Sequence, residues 1–307
     1  MLVFFIHGVA TKDAGYSTRL QKLLREEFMN QDEPLPHFHG SFWGNAISDK
    51  GRIWNWIHND LKDFKKDYPQ VDVRDVFRYQ EFREDFISDF FGDILTYTNS
   101  ECGRDIRGMI AEQLYKFLKA HPHESEFHIV THSLGSIVLW DVLFSEKFPS
   151  DDPVHEIRSM LKLSNYLKNG EKPSLKSITT MGSPILFFNM MLGVQPEQIR
   201  TFATNHQPES LRWINIIHSS DVIAYPLQSS MNAKLMPNFF FRDKFIWADA
   251  NGAERTARRF GQAHAAMAIG MSDAHSSYWS SRGVARLITA NILGDCDAID
   301  SAQIDVE

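Results

Sequence analysis

Ser133 stands in the run Thr131-His132-Ser133-Leu134-Gly135. A serine hydroxyl is a weak nucleophile at neutral pH. It needs a base within hydrogen-bond reach, a group that orients the base, and donors for the charge that builds on an attacked carbonyl oxygen. The G-x-S-x-G pattern keeps small residues two before and two after such a serine, because the turn is tight and the next helix packs close. Here the second glycine is present and Thr131 replaces the first, adding bulk beside the turn. The plainer role for this serine is to cap the helix that follows.

The partners that a serine nucleophile requires occur downstream in the order Ser, acid, His. Asp221 closes the segment W-I-N-I-I-H-S-S-D and is the candidate acid; Asp243 and Asp249 are its rivals. The plainer role of Asp221 is a turn aspartate bonding its own backbone. His275, in D-A-H-S-S-Y-W, is the candidate base, with His264 as rival. His121 and His123 have no ligand-like context. His7-Gly8-Val9 ends the first apolar run, and a glycine there lets the backbone turn toward the nucleophile. The expected oxyanion donors are the backbone N–H groups of Val9 and Leu134.

These residues need a scaffold that brings distant segments together, and the apolar pattern supplies one. Short strands are expected over 2–6, 127–131, 175–181 and 213–217, with another ending near 42–44 and a sixth near 239–247. Helices alternate with them. One starts near Ser17 with Leu20, Leu23, Leu24 and Phe28 at helical spacing; a second covers 104–120; a third, wholly apolar, covers 137–144. A helix over 156–168 ends before Gly170. The last begins near Ser276 and carries Tyr278, Val284, Leu287, Ile288 and Ile292. This alternation predicts an α/β fold, a mostly parallel central sheet flanked by helices. On such a sheet, reactive groups gather in loops at the carboxyl ends of the strands. The 307 residues are read as one domain with helical insertions around 45–90, rich in aromatics, and around 225–270.

Composition narrows the chemistry. The net charge of −7 offers no basic surface to follow a phosphate backbone, so nucleic acid is not an expected partner. Cys102 and Cys296 match no metal or redox spacing, and neither metal nor cofactor is expected. No apolar run approaches the roughly 20 residues that span a bilayer. The opening apolar run is too short for a secretory leader. A cytoplasmic setting is therefore expected.

The combination F-F-I-H-G, T-H-S-L-G-S-I, M-G-S-P and W-I-N-I-I-H-S-S-D resembles the α/β-hydrolase superfamily, especially its intracellular lipase- and esterase-like members. The stretch F-G-D-I-L-T-Y at 91–97, followed by a helix and then H-S-L-G-S, is also similar to a segment of DDHD-type phospholipases. The resemblance implies the α/β-hydrolase fold and a Ser-His-Asp triad of Ser133, His275 and Asp221. It implies hydrolysis of a carboxylic ester through an acyl-enzyme, with a small-molecule or lipid-like ester as substrate. Thioester, amide or acyl-transfer chemistry could use the same triad. A non-catalytic binding protein is the alternative of another class.

Overall fold

Leu2, Phe4 and Ile6 face one side of a strand and Val3 and Phe5 the other, and all five are buried. A strand that is apolar on both faces belongs inside a parallel sheet covered by helices on each side. The computed structural model has that arrangement. It describes residues 1–8, 11, 13–44, 50–78, 80, 83, 89–161, 173–205, 211–231 and 239–302.

The strands are β1 (Leu2–Ile6), β2 (His37–Ser41), β3 (Glu126–His132), β4 (Ser174–Met181), β5 (Arg212–His218) and β6 (Phe240–Ile246). They form one six-stranded, wholly parallel sheet in the order β2-β1-β3-β4-β5-β6. The described helices between and after them are, in chain order, α1 (Thr18–Asn30), α2 (Lys50–Asp67), α3 (Val73–Val76), α4 (Asp89–Thr98), α5 (Ser100–Ala120), α6 (Leu134–Phe144) and α7 (Val154–Met160). Beyond β4 come α8 (Ile185–Leu192), α9 (Pro196–Asn205), α10 (Gly252–Arg259), α11 (Ala263–Ser277), α12 (Arg282–Leu293) and α13 (Cys296–Ser301).

Each sheet face has its own core. Val3, Phe5, Val130, Ile214 and Ile216 pack against Leu20, Leu24 and Phe28 of α1 and against Val284 and Ile288 of α12. The opposite face packs Leu2, Phe4, Ile129 and Ile178 against α5, α6 and α9. All eleven residues of α6 are buried, which explains why it is apolar around its whole circumference.

Several boundaries move. β2 ends at Ser41, short of 42–44, because the Trp43 N–H turns away to bond a histidine ring. α5 starts four residues earlier than its apolar stripe suggests, since the Asn99 side chain accepts from the Glu101 and Cys102 N–H groups and caps it. The helix expected to begin near Ser276 and to be the last starts at Arg282, capped by Ser281, and the short α13 follows it. Residues 162–172, which hold the second half of the helix expected over 156–168 and its Gly170 cap, lie outside the described residues. Of the expected insertions, 45–90 contains α2 and α3, while 225–270 contains β6, a full member of the sheet. Among the described residues no helix is long and apolar enough to cross a membrane.

Candidate active site

The strand order reverses direction between β1 and β3: β2 lies beyond β1, and β4, β5 and β6 lie beyond β3. In an open parallel sheet such a switch leaves a crevice at the carboxyl ends of the two central strands. Register fixes what meets there. Ile6 pairs with Thr131, so Gly8 comes level with Ser133. A Cβ on Gly8 would lie 2.4 Å from the Ser133 Cβ, and one on Gly135 would lie 2.4 Å from the Ile6 carbonyl oxygen. Both positions therefore need glycine for close approach rather than for dihedral freedom.

Ser133 is the sharp corner between β3 and α6. Its φ is 52° and ψ −125°, a strained backbone for a residue with a side chain. The strain is held by neighbours: the Ser133 N–H donates to the Met181 carbonyl at 3.0 Å, tying the corner to β4. Ser133 makes no side-chain cap to its helix, so the plainer capping role does not apply. Thr131 fits without a glycine, because its hydroxyl shares a 2.9 Å hydrogen bond with that of Ser136 on the first turn of α6.

Three side chains from distant segments meet in a line. The Ser133 hydroxyl lies 2.8 Å from His275 Nε2. His275 Nδ1 lies 2.9 Å from Asp221 Oδ2. All three residues are buried. A carboxylate at Nδ1 fixes the proton there and leaves Nε2 free to accept the serine proton. His275 does not sit on a loop before the last helix; it occupies the final turn of α11, which follows β6 and returns over the strand ends. Asp221 follows β5 in a turn. Its Oδ1 accepts the Ile223 N–H at 3.0 Å, so it does bond its own backbone, while Oδ2 faces the histidine. Burial opposes its ionised form, but His275, the Ile223 N–H and Tyr278 together outweigh it. The carboxyl is held below its usual value.

The rivals are engaged elsewhere. Asp243 accepts from Asn215 Nδ2 and from the Leu227 and Gln228 N–H groups, pinning a loop. Asp249 pairs with Arg255 and Arg258. His264 is exposed on α11. Of the two oxyanion donors, Leu134 is the first residue of α6, so its N–H has no acceptor within the helix and stands at the positive end of the helix dipole. Val9 lies outside the described residues.

Three residues outside the expected triad and oxyanion donors crowd this line. Tyr278, read as part of a helix stripe, donates its hydroxyl to Asp221 Oδ2 at 2.8 Å and accepts the His218 N–H at 2.8 Å. Burial and the neighbouring carboxylate hold that phenol protonated. His132 Nε2–H donates to the His275 carbonyl at 2.7 Å, and its ring lies 4.7 Å from the His275 ring. Burial, with His275 beside it, lowers its pKa to about 3, so it is a neutral support. His7 Nδ1–H donates to the Gly8 carbonyl at 2.7 Å, Nε2 accepts the Trp43 N–H, and burial lowers its pKa to about 4. The one sequence signal for His7 and His132 was adjacency to Gly8 and Ser133.

Among the described residues no group of three or more His, Cys, Asp or Glu could hold a metal ion. Comparison of the chain with protein-family models and with curated proteins finds no match.

Proposed function

We propose that the chain is a serine hydrolase of the α/β-hydrolase type that cleaves a carboxylic ester through an acyl-enzyme. The observation that carries this reading is the unbroken line Ser133–His275–Asp221, buried at a strand-order switch with a strained serine at its head. Burial and strain both cost stability, and a fold keeps such a serine where strain serves a site.

The geometry supports the following sequence of events. Ser133 Oγ attacks the ester carbonyl carbon as its proton passes to His275 Nε2. The Asp221 carboxylate stabilises the resulting imidazolium without taking the proton. The carbonyl oxygen, now negative, takes the Leu134 N–H, with the Val9 N–H proposed as second donor. The C–O bond to the alcohol breaks, and the imidazolium gives its proton to the leaving oxygen. Water then attacks the acyl-serine carbonyl, losing a proton to His275; the bond from the carbonyl carbon to Ser133 Oγ breaks, and the imidazolium gives that proton to Oγ as the carboxylic acid departs.

A lipid-like ester is the favoured substrate. Leu186, Phe187, Met190 and Met191 of α8 and Val222 beside Asp221 are exposed apolar side chains on segments that leave the same carboxyl ends of the sheet. Met190 is 84% exposed. An aliphatic chain passing over them would remove that surface from water.

A fluorophosphonate probe is expected to label the protein and to fail on Ser133→Ala. Labelling that persists in the variant would move the nucleophile elsewhere. Turnover of p-nitrophenyl esters should rise from the acetate to longer acyl chains; a labelled protein inert to every ester would point to thioester, amide or acyl-transfer chemistry.

A further inference from the structure

A cavity of about 500 Å³ opens beside α6, between the start of α5, the segment 147–152 and α8. Its walls join an apolar side, with Ile137, Phe188, Met191 and Leu192, to a charged side. We propose that this cavity binds an alkylammonium ion, a protonated primary amine on a short apolar chain, with Asp141 as its acceptor.

The charges lining the cavity point to that chemistry. Arg107 is paired with Asp152, through hydrogen bonds of 2.8 and 2.6 Å. Arg104 is taken by the carboxylate and carbonyl of Asp151. Arg158, behind the wall, is held by the carbonyls of Val142 and Ser145. Asp141 is different. It is 1% exposed, and its Oδ2 accepts the Tyr97 hydroxyl at 2.9 Å. Among the described residues its Oδ1 has no hydrogen-bond partner. Lys147 Nζ approaches that oxygen to 3.1 Å, close enough for charge attraction but outside hydrogen-bond geometry.

A buried carboxylate oxygen without a hydrogen bond is costly, and a donor that completes it is favoured. The Lys147 side chain is 55% exposed, so its ammonium can leave at little packing cost. It is itself an alkylammonium, tethered to the rim. A free ligand of the same kind can reach Oδ1 from inside the cavity, where its chain lies against Phe188, Met191 and Leu192. With Lys147 withdrawn, Glu101, Asp141 and Asp152 outnumber Arg104 and Arg107 in the wall, which favours a cation over an anion. This inference does not depend on the ester-hydrolase reading.

The test is calorimetric titration of the full chain with n-hexylammonium chloride, beside n-hexanol as the neutral probe. Lys147→Ala removes the tethered competitor and is expected to bind the ammonium at least about ten-fold more tightly than the unsubstituted protein. Adding Asp141→Asn should abolish that gain. Equal affinity with and without Lys147, absence of binding in both, or hexanol bound as well as the ammonium would overturn the proposal. Lys147 lies at the surface, so its comparison decides the matter even where Asp141→Asn fails to fold.

Discussion

Asp221 and Asp141 are both buried carboxylates that accept a tyrosine hydroxyl, from Tyr278 at 2.8 Å and from Tyr97 at 2.9 Å. Both also face a basic side chain, His275 in one case and Lys147 in the other. They differ in what holds that base. The His275 ring is gripped on a helix turn between Ser133, Asp221 and His132, whereas Lys147 reaches in from solvent. They differ again in the remaining oxygen: the Ile223 N–H satisfies that of Asp221, while that of Asp141 meets the Lys147 ammonium without a hydrogen bond. One carboxylate is thus fully satisfied and its base is fixed in direction, which suits repeated proton transfer. The other is incompletely satisfied behind a movable cation, which suits exchange with a ligand.

The sharpest way to break this comparison is to neutralise each acid. Asp221→Asn is expected to cut ester turnover by about 10⁴-fold, because the amide holds the wrong imidazole tautomer. Asp141→Asn should leave fluorophosphonate labelling of the folded fraction intact. Similar losses from both substitutions would erase the distinction.

Removing the tyrosines is the next test. Tyr97→Phe strips Asp141 of its one hydrogen bond from a side chain and should lower unfolding free energy by about 1–3 kcal/mol. Tyr278→Phe leaves Asp221 two donors but takes the acceptor from the buried His218 N–H, so its expected cost is similar, about 1–3 kcal/mol. The same variant should lower kcat by no more than about ten-fold with KM unchanged. Urea melts and steady-state kinetics check both; a Tyr97→Phe variant as stable as the unsubstituted protein would contradict the first expectation.

Acid sensitivity is a further effect, and the Asp221 end contributes to it alongside the buried His128, whose pKa is also lowered to about 3. His7 and His132 have folded pKa values lowered to about 4 and about 3, against roughly 6.5 in an unfolded chain. Between those values the unfolded chain binds the extra protons, so the stabilisation is present above about pH 6.5 and is lost as pH falls. The slope is at most about 1.4 kcal/mol per histidine per pH unit. His132→Gln should flatten the slope between pH 7 and pH 5, and Tyr97→Phe should leave it unchanged. A wild-type stability that is level over this range would contradict the neutral-histidine assignment.

Much of this was legible along the chain because some signals are local. The apolar runs of β1, β3, β4 and β5 and the periodic stripes of α1 and α5 are set by burial on both faces of a parallel sheet, and burial leaves its mark in residue type. Ser133 was legible for the same reason: a strand, a tight corner and a buried helix are neighbours in sequence. Asp221 could be singled out because it ends a strand. His275 was found by chain order, although its place on a helix turn was not.

The supports of the site were hidden from the sequence. Tyr278 looks like one more apolar member of a helix, and only the return of α11 over the strand ends sets its hydroxyl against Asp221. Thr131 looked like a defect in the motif until Ser136 was seen to satisfy it. Asp141 and Tyr97 lie 44 residues apart, and nothing in either segment announces their hydrogen bond. Residue type and spacing determined where the chain makes strands, helices and the sharp corner at Ser133, since those depend on near neighbours and on water. Which polar groups satisfy one another, and which buried oxygen is left without a hydrogen bond, was decided by the tertiary structure alone. Hydrogen bonds act over about 3 Å, and only folding brings those atoms to that distance.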